Sequence, residues 1–460
     1  MRVLFASAEL APLARVGGLA EAASGLVAAL RAAGLEVDLI LPDYFATELA
    51  DERPRLVTAP GWAQPASART GIAREVGEVT LVSVPGIARP HPYIDDWGHG
   101  WPDNDTRFMA FSAVVADLVQ TSQPDVVHLN DWHTGGALAF LWDRPPVALT
   151  IHTLGYQGWM GSEWLPRIPQ HFAAYECFGG VNPLAGAIQV ADRVIAVSPN
   201  YADEIRSPAS GRGLDHLLNG LGHRLVGIRN GIDTAVWNPE TDPSIPATYS
   251  ATSLEAKSQS RRALLQTAGW EDDDAAVVGM VTRLVDQKGI DIALEAARYA
   301  SRMPFRLVLL GSGDKWLADW ARWAAGEWPE NVFFEDGYNQ DLGHLIFAGA
   351  DMVLMPSRFE PCGLAQMQAM TYGTIPVVTD VGGLHDTVID ADDDRKKGTG
   401  FLAATVDSAG ITDALHRANR AWKHKQRRTA IQKRGMGIDW SWNTPAQVHI
   451  DLYREMLAHG

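Results

Sequence analysis

The stretch "VLFASAELAPLARVGGLAEAASGL" (residues 3–26) decides the fold. An apolar run of strand type, residues 3–7, leads through a loop with two adjacent glycines into an Ala-rich segment with a helical pattern from about residue 18 to 33. Further short Val/Ile/Leu runs follow at 36–42, 79–85, 125–130, 147–152 and 193–198, with a predicted helix at 104–119. Short apolar runs that alternate with helices predict a parallel sheet covered on both faces.

The same pattern restarts in the second half, after the Pro/Thr/Ser/Asp-rich passage 229–250. The predicted strands are 276–284, 305–313, 331–338, 351–357 and 375–383, and the predicted helices include 254–268 and 289–300. A chain of 460 residues also exceeds the size at which one core usually stops growing. We therefore expect two doubly wound domains, and such sheets bind ligands outside the carboxyl ends of their strands.

Composition limits the function classes. The formal net charge of −16 argues against a nucleic acid or an anionic membrane as a partner, because non-specific binding to phosphate groups requires a positively charged surface. Two cysteines, no signal-peptide pattern and no bilayer-length apolar run predict a cytoplasmic protein. No His/Cys/Asp cluster has metal-ligand spacing, so we expect no metal. The sequence gives no prediction of the oligomeric state.

Two loops of the second half are candidate anion sites. "TRLVDQKG" (282–289) places Arg283 and Lys288 in one short loop, where they could converge on a diphosphate or simply be solvated. In "MPSRFEPCGLAQMQAMTYG" (355–373), Glu360 precedes a helix predicted to open at "CGLAQMQAM", so that Gly363 and Leu364 would offer backbone N–H groups to a phosphate. Gly382 and Gly383 repeat this arrangement at the end of another predicted strand.

In the first half, Gly17 and Gly18 could serve a tight turn or could let the backbone approach a phosphate beside Arg15. His152 lies at the tip of a predicted strand, and Asp131 at another strand tip is a candidate for binding hydroxyls. A lone strand-tip histidine is more often structural than catalytic. For the tryptophan-rich segment 316–328 we expect a helix that packs its indoles against the sheet, rather than a surface that binds sugars.

Taken together, ordered motifs over nearly the whole chain resemble the bacterial glycogen synthases and plant starch synthases, which are retaining glycosyltransferases of GT-B type. The motifs are "ARVGGLAE" (14–21), "RPHPYIDDWGHGWPDNDTRF" (89–108), "LNDWHTG" (129–135), "IHTLGYQG" (151–158), "RNGIDTAVWNPETD" (229–242), "TRLVDQKG" (282–289), "PSRFEPCGLAQ" (356–366), "GGLHDTV" (382–388) and "WSWNTPAQVHIDLY" (440–453). The resemblance implies two Rossmann-like domains that face each other across a cleft. They would be an acceptor-side domain at 1–237 and a donor-side domain at 238–439, with a terminal helix at 440–460 that crosses back to the first.

The activity implied by the resemblance is transfer of glucose from a nucleotide diphosphate, usually ADP-glucose, to the non-reducing 4-hydroxyl of an α-1,4-glucan. Arg283 and Lys288 would bind the diphosphate, Glu360 would hold the glucosyl hydroxyls, and His152 would position the sugar at its anomeric carbon. The residues expected at the nucleotide sugar are Arg15, Gly17, Gly18, Asn230, Tyr338, Gly363, Leu364, Gly382 and Gly383. Those expected at the sugar or acceptor are Glu21, Asp131 and Thr153.

Retention of configuration by double displacement would need a nucleophile beneath the anomeric carbon. In the family, the glutamate of this motif is not positioned to attack the anomeric carbon. The resemblance therefore implies that the acceptor enters on the same face of the sugar from which the phosphate departs. The departing phosphate would then accept the proton of the incoming hydroxyl. The cofactor expected is the nucleotide sugar alone, because fixed cations can take the role of a metal.

Four positions depart from the family pattern: Arg15 replaces a Lys, Glu21 an Asp, Thr153 an Asn, and Ala365 a Thr or Asn. These changes leave the donor base and the acceptor open. The alternatives are a related GT-B transferase that uses UDP-glucose or a small glycoside, and a catalytically silent glucan-binding relative. A phosphorylase or an epimerase on the same fold is a further alternative.

Overall fold

The computed structural model describes residues 1–298 and 305–459. The described chain forms two compact units, residues 1–231 with 442–460 and residues 232–441. Two residues of the predicted helix at 289–300, Tyr299 and Ala300, lie outside the described part.

The first unit is built on a sheet of nine strands among the described residues, in the order β11-β10-β7-β6-β1-β2-β5-β4-β3. A two-stranded hairpin, β8 with β9, stands apart from it. The strands are β1 (Arg2–Ala6), β2 (Glu36–Pro42), β3 (Ala50–Arg55), β4 (Ser67–Ala73), β5 (Gly77–Ser83), β6 (Val126–Asn130), β7 (Val147–Ile151), β8 (Glu176–Cys177), β9 (Gly180–Val181), β10 (Arg193–Ala196) and β11 (Leu225–Gly227). The α-helices are α1 (Gly18–Ala32), α2 (Asn104–Ser122), α3 (Asp131–Gly135), α4 (Phe172–Tyr175), α5 (Pro183–Val190), α6 (Pro199–Glu204) and α7 (Asp215–Gly220).

The second unit carries a sheet of six parallel strands within the described residues, in the order β14-β13-β12-β15-β16-β17. The strands are β12 (Ala276–Val281), β13 (Phe305–Gly311), β14 (Val332–Asp336), β15 (Met352–Met355), β16 (Ile375–Thr379) and β17 (Phe401–Ala403). The helices are α8 (Lys257–Thr267), α9 (Ile290–Ala297), α10 (Lys315–Glu327), α11 (Gln340–Gly349), α12 (Ala365–Thr371), α13 (Gly382–Thr387), α14 (Ser408–Lys423) and α15 (Lys425–Met436).

The last helix, α16 (Asn443–His459), belongs to the first unit and packs against α1. Ile450, Tyr453 and Met456 are buried in the same core as the apolar face of α1. Gly25 makes this close packing possible, because a Cβ at this position would lie 1.9 Å from Nε1 of Trp442. The terminal helix therefore completes the hydrophobic core of the first unit.

Strand order fixes where the two candidate sites lie. In the first unit the order reverses at β1, which pairs in parallel with β2 on one side and β6 on the other. In the second unit it reverses at β12, between β13 and β15. Loops that follow the strands on either side of such a reversal splay apart and leave a crevice. The loops after β1 and β6, and after β12 and β15, are those that carry most of the predicted motifs.

The prediction of two doubly wound units is confirmed, with three corrections. The first sheet is mixed, because β4 pairs antiparallel with both β3 and β5, and the sequence patterns revealed neither β3 nor β4. The helix predicted to open at Cys362 begins at Ala365. The prediction for the tryptophan-rich segment 316–328 is correct only in part: Trp320 and Trp328 pack against the core of the second unit, whereas Trp316 and Trp323 are about half exposed. Leu317, Ala318, Ala321 and Ala324 form the buried face of α10. Small residues let this helix approach the sheet more closely than indoles would.

Candidate active site

Lys288 and Glu360 meet at the crevice of the second unit. Nζ of Lys288 lies 2.5 Å from Oε2 of Glu360, and the Ser357 hydroxyl donates to the same oxygen at 3.1 Å. Both side chains of the ion pair are largely buried. The pair forms because Lys288 follows β12 and Glu360 follows β15, which are neighbouring parallel strands. Lys288 therefore does not lie free beside Arg283, as the loop spacing alone allowed.

A second set of contacts joins the same two loops. The Arg358 guanidinium donates to both carboxylate oxygens of Asp291, at 2.9 and 2.6 Å, and this hydrogen bonding lowers the pKa of Asp291. Gln287 accepts a hydrogen bond from the Arg358 backbone N–H and donates through Nε2 to the carbonyl of Phe359. Bidentate Arg–carboxylate pairs fix geometry strongly. The loop that carries Glu360 is thus held against the loop that carries Lys288.

Arg283 and Tyr338 are exposed members of the predicted site in the second unit. No carboxylate within the described residues forms a salt bridge with Arg283, so its charge is not neutralised by such a pair. The Tyr338 side chain is 71% exposed, and its hydroxyl lies 3.4 Å from Oε1 of Gln340. Both side chains are accessible to a ligand.

Gly382 and Gly383 pack directly against the backbone of the loop that carries Glu360. A Cβ at Gly382 would lie 2.0 Å from the carbonyl oxygen of Glu360, and a Cβ at Gly383 would lie 2.1 Å from that of Cys362. The Gly383 N–H donates to the Glu360 carbonyl at 2.9 Å. Gly382 also has a positive φ of 45°, which favours glycine. These two residues are therefore required by packing, and the Gly383 N–H is already engaged.

Gly363 and Leu364 precede α12 rather than open it. Gly363 has a φ of 72°, and a Cβ there would lie 2.5 Å from Oε1 of Gln366. Oε1 of Gln366 is itself buried and accepts no hydrogen bond from the part of the chain that the structure describes. Leu364 has a helical backbone conformation at the N-cap, where backbone N–H groups lack intrahelical acceptors.

In the first unit, Glu9 holds the glycine loop that follows β1. Its Oε2 accepts hydrogen bonds from the backbone N–H groups of Val16 and Gly17, at 2.8 and 2.9 Å, and the Tyr93 hydroxyl donates to Oε1 at 2.7 Å. Glu9 is buried. The Gly17 N–H, which the sequence suggested as a phosphate donor, is therefore occupied by a carboxylate of the same chain.

Gly17 and Gly18 differ from the second glycine pair in having no packing reason to be glycine. Neither has a positive φ, and a Cβ at either would have no atom of the described residues within 4 Å. The turn itself would thus accept a side chain at both positions. Arg15, beside them, forms a salt bridge of 2.8 Å from Nε to Oε1 of Glu21 on α1. Two of the positions that depart from the family pattern are therefore paired with each other.

His152 follows β7 and is fixed by the neighbouring strand tip of β6. Its backbone N–H donates to Oδ1 of Asp131 at 2.7 Å, and its Nε2 lies 2.9 Å from Oδ1 of Asn130. Nδ2 of Asn130 donates to the Ala6 carbonyl, so the Oδ1 atom faces His152 and accepts from it. Desolvation lowers the pKa of His152 to about 3. The ring is neutral near pH 7, with the proton on Nε2.

Asp131, at the start of α3, has both a left-handed backbone conformation and a raised pKa. Its φ of 54° is in the left-handed region, which Asp tolerates better than most residues. Burial raises its pKa to about 7, although the backbone N–H groups of His152 and Thr153 favour the charged form. The Thr153 hydroxyl accepts a hydrogen bond from the Gly155 N–H. Such strain at a strand tip is typical of functional sites.

A small cavity lies behind His152. Polar side chains of Asn130, Thr150, Asn230 and His449 contribute to its lining together with His152. His449 is on α16, so the terminal helix reaches the back of this site. Asn230 is buried. His133, which does not line this cavity, is packed among aromatic rings, with a pKa lowered to about 3 by burial. His133 is therefore a core residue.

Sequence reasoning missed several residues of this arrangement, among them Glu9 and Asn130 in the first unit and Ser357 and Asp291 in the second. The signal for Glu9 was present, since it is the only acidic residue between the first strand and the glycine pair. Among residues 1–298 and 305–459, no group of three or more His, Cys, Asp or Glu side chains is arranged to hold a metal ion. In the same part of the chain, no helix combines the length and apolar character needed to cross a bilayer.

Two family models match the chain, one in each half. The family described as starch synthase catalytic domain matches residues 2–220, and the family described as glycosyl transferases group 1 matches residues 266–435. Glycogen synthase 1 of Methylococcus capsulatus is 39% identical, over 100% of this chain and 97% of that protein. Glycogen synthase of Halorhodospira halophila is 40% identical, over 100% of this chain and 99% of its own length.

Among solved structures, the catalytic domain of starch synthase IV from Arabidopsis thaliana, bound to ADP and acarbose, superimposes with a TM-score of 0.89. It is 31% identical, and the match covers 99% of each chain. The expected fold class is thereby confirmed as GT-B. With matches of this extent in sequence and in structure, the chain belongs to the family of bacterial glycogen synthases and plant starch synthases, which are glycosyltransferases.

Proposed function

We propose that the protein elongates an α-1,4-glucan by transferring glucose from ADP-glucose to the non-reducing 4-hydroxyl, with retention of configuration. The observation that carries this proposal is the full-length likeness to a starch synthase catalytic domain solved with ADP and acarbose. The chain retains Arg283, Lys288, Glu360 and His152, which a catalytically silent relative would be expected to have lost in part. A cytoplasmic location is part of the same proposal.

The second unit, residues 232–441, would bind the donor. Arg283 is an exposed cation with no salt-bridge partner in the described chain, so it would contact the diphosphate directly. An ammonium group has three N–H donors, so Lys288 could keep its contact with Glu360 and still reach a phosphate oxygen. Glu360 would hold the glucosyl hydroxyls, and Gly363, Leu364 and Tyr338 would contact the nucleotide portion. Gly382 and Gly383 would act by holding the Glu360 loop.

The first unit would bind the acceptor. His152, with a neutral ring and a fixed Nε2 proton, would position the transferred sugar rather than act as an acid near pH 7. Asp131, Asn230 and Thr153 would bind sugar hydroxyls. Gly17 and Gly18 would let the backbone come close to the donor beside the Arg15–Glu21 pair, which explains glycines that the turn does not require.

The chemistry follows from these roles. The bond between the anomeric carbon and the diphosphate breaks, the bond to the acceptor oxygen forms on the same face, and the acceptor proton passes to the departing phosphate oxygen. Arg283 and Lys288 would stabilise the charge that develops on the leaving ADP. A glucosyl–Glu360 ester detected by mass spectrometry would contradict this sequence of events.

A donor panel tests the proposal. The purified protein is incubated with glycogen and ADP-, UDP- or GDP-glucose, with and without EDTA, and nucleotide release and chain elongation are measured separately. We expect elongation with ADP-glucose that is unaffected by EDTA. Elongation with UDP-glucose alone would refute the assignment of ADP-glucose as the donor. Arg15 and Tyr338 would then be the residues to test for recognition of the base. Binding of glycogen without turnover of any donor would favour the silent glucan-binding alternative.

A further inference from the structure

An exposed aromatic pair stands on the first unit beyond the residues of the proposed site. The rings of Trp159 and Phe178 are stacked, with centroids 6.3 Å apart and an interplanar angle of 26°. The two side chains are 52% and 93% exposed. Aromatic side chains of this size normally supply buried area to a core or an interface. Here two of them present a flat, uncharged surface to solvent.

Phe178 also occupies a backbone position that suits a different residue. It forms with Gly179 the two-residue turn between β8 and β9, and both residues have positive φ values, 49° and 79°. Turns of this type favour Asn-Gly, because a bulky side chain in the left-handed region is strained. The Phe178 side chain is exposed, so its burial does not offset this strain. Neither the turn nor the core of the unit therefore explains why this residue is Phe.

The backbone connects the pair to the strand tip that carries Asp131. Gly158 lies directly on the ring of Trp132, the residue after Asp131, because a Cβ at Gly158 would be 2.2 Å from that ring. Trp159 follows Gly158. Met160 then exchanges two backbone hydrogen bonds with Val181 of the hairpin, at 2.9 and 3.0 Å. The aromatic pair is thus fixed to the same loop system as His152 and Asp131.

We propose that Trp159 and Phe178 form a stacking surface for pyranose rings of the glucan acceptor, beyond the terminal glucose that receives the new unit. This inference rests on the proposed function and adds a binding subsite to it. The faces of a pyranose ring carry C–H bonds, which pack favourably on the negative face of an aromatic ring. A neutral polymer needs no charged partner, and the stacked pair offers none. Tyr156, three residues before Trp159 in the same loop, is also exposed and carries a hydroxyl.

The test compares long and short acceptors in two variants, Trp159→Ala and Phe178→Asn. We expect KM for glycogen to rise about three- to tenfold in each, the effect of losing one aromatic contact. KM for ADP-glucose should not change, and KM for maltose, which has only one ring beyond the reacting end, should rise less than KM for glycogen. Phe178→Asn should also raise Tm, because it relieves the strain of the turn. A purely structural role for Phe178 would instead lower Tm and disturb both acceptors alike.

The matched control is the pair of variants Trp316→Ala and Trp323→Ala on α10, whose indoles are exposed to nearly the same extent as that of Trp159. These should leave KM for glycogen unchanged. An unchanged KM in the Trp159 and Phe178 variants, or an equal rise in the α10 variants, would overturn the proposal.

Co-sedimentation of the same variants with glycogen in the absence of donor separates this inference from the proposed function. If the wild-type protein binds glycogen without turning over any donor, the proposed activity fails, while weaker binding by the Trp159 and Phe178 variants still supports the subsite. Equal binding by all variants, or no binding by the wild type, would overturn it.

Discussion

Nζ of Lys288 and Oε2 of Glu360 are 2.5 Å apart in the second unit, so two residues with separate proposed roles hold each other in place. One would stabilise the leaving diphosphate and the other would hold the sugar. Because the pair is largely buried, each charge depends on its partner for stabilisation. Changes at either residue should therefore affect both the chemistry and the fold.

A double-mutant cycle tests this coupling. We expect Glu360→Gln and Lys288→Gln each to lower kcat by about 10²-fold or more, since each removes a charge proposed to act on the donor. Each should also lower the free energy of unfolding by up to about 3 kcal/mol, because a buried charge is left without its partner. The double variant should lose less than the sum. The same cycle on Lys315 and Asp319, an exposed pair on α10, should change neither quantity. Additive losses at 288 and 360 would contradict the coupling.

The two glycine pairs should respond differently to alanine. Gly17→Ala should leave Tm nearly unchanged, because the added Cβ meets nothing and φ is negative, but it should raise KM for ADP-glucose. Gly382→Ala should lower Tm, because its Cβ would overlap the Glu360 carbonyl at a positive φ, and it should lower kcat by moving the Glu360 loop. Thermal unfolding and donor kinetics on both variants check this. Full activity of Gly17→Ala would show that no ligand approaches that position.

The Arg15–Glu21 pair predicts how the two family departures interact. Arg15→Lys should retain most activity and alter stability by less than about 1 kcal/mol, since the pair is partly exposed. Adding Glu21→Asp, which restores the family residues at both positions, should recover whatever the single change loses. Kinetics with ADP-glucose on the two variants measure this. Complete loss of activity in Arg15→Lys would show that the guanidinium has a role that Lys cannot supply.

Histidines of the first unit should make the protein less stable in mild acid. They are His128, His133, His152 and His449. Desolvation lowers their pKa values, to about 3 for His133 and His152, to about 4 for His449, and well below 6.5 for His128. Between about pH 6.5 and 4 the unfolded chain therefore binds more protons, and the free energy of unfolding falls as the pH falls. Each ring contributes about 1.4 kcal/mol per pH unit.

Asp131 opposes this trend, because its raised pKa of about 7 means that the folded chain holds one more proton than the unfolded chain from about pH 4 to 7. Asp131→Asn should therefore make the free energy of unfolding fall more steeply as the pH falls. His449→Gln should make it fall less steeply, because about one proton fewer is taken up on unfolding. Urea unfolding between about pH 7 and 5 gives these slopes. A free energy of unfolding that stays constant over this range would contradict the assignment of neutral, buried rings.

Several site residues could be located from the sequence because their motifs are local. The loops with Arg283 and Lys288, with Glu360, and with Gly17 follow predicted strands directly, and parallel strands bring such loops to one edge. Glu9 was missed because its role depends on reaching backbone N–H groups of Val16 and Gly17 in a folded loop. Trp316 and Trp323 of α10 were assigned to the wrong face, because an indole pattern does not show how closely a helix approaches its sheet.

The sequence by itself determined the alternation of strands and helices, the restart that makes two units, and the family, because hydrophobic periodicity and short motifs are properties of neighbouring residues. Only the tertiary structure decided which charges pair and which glycines are required by packing. Lys288 meets Glu360, and Gly382 lies under the Glu360 carbonyl, because β12, β15 and β16 are neighbours in the sheet. Strand order is set by the packing of the whole unit, so contacts between residues this far apart in the chain are fixed only when the sheet has formed.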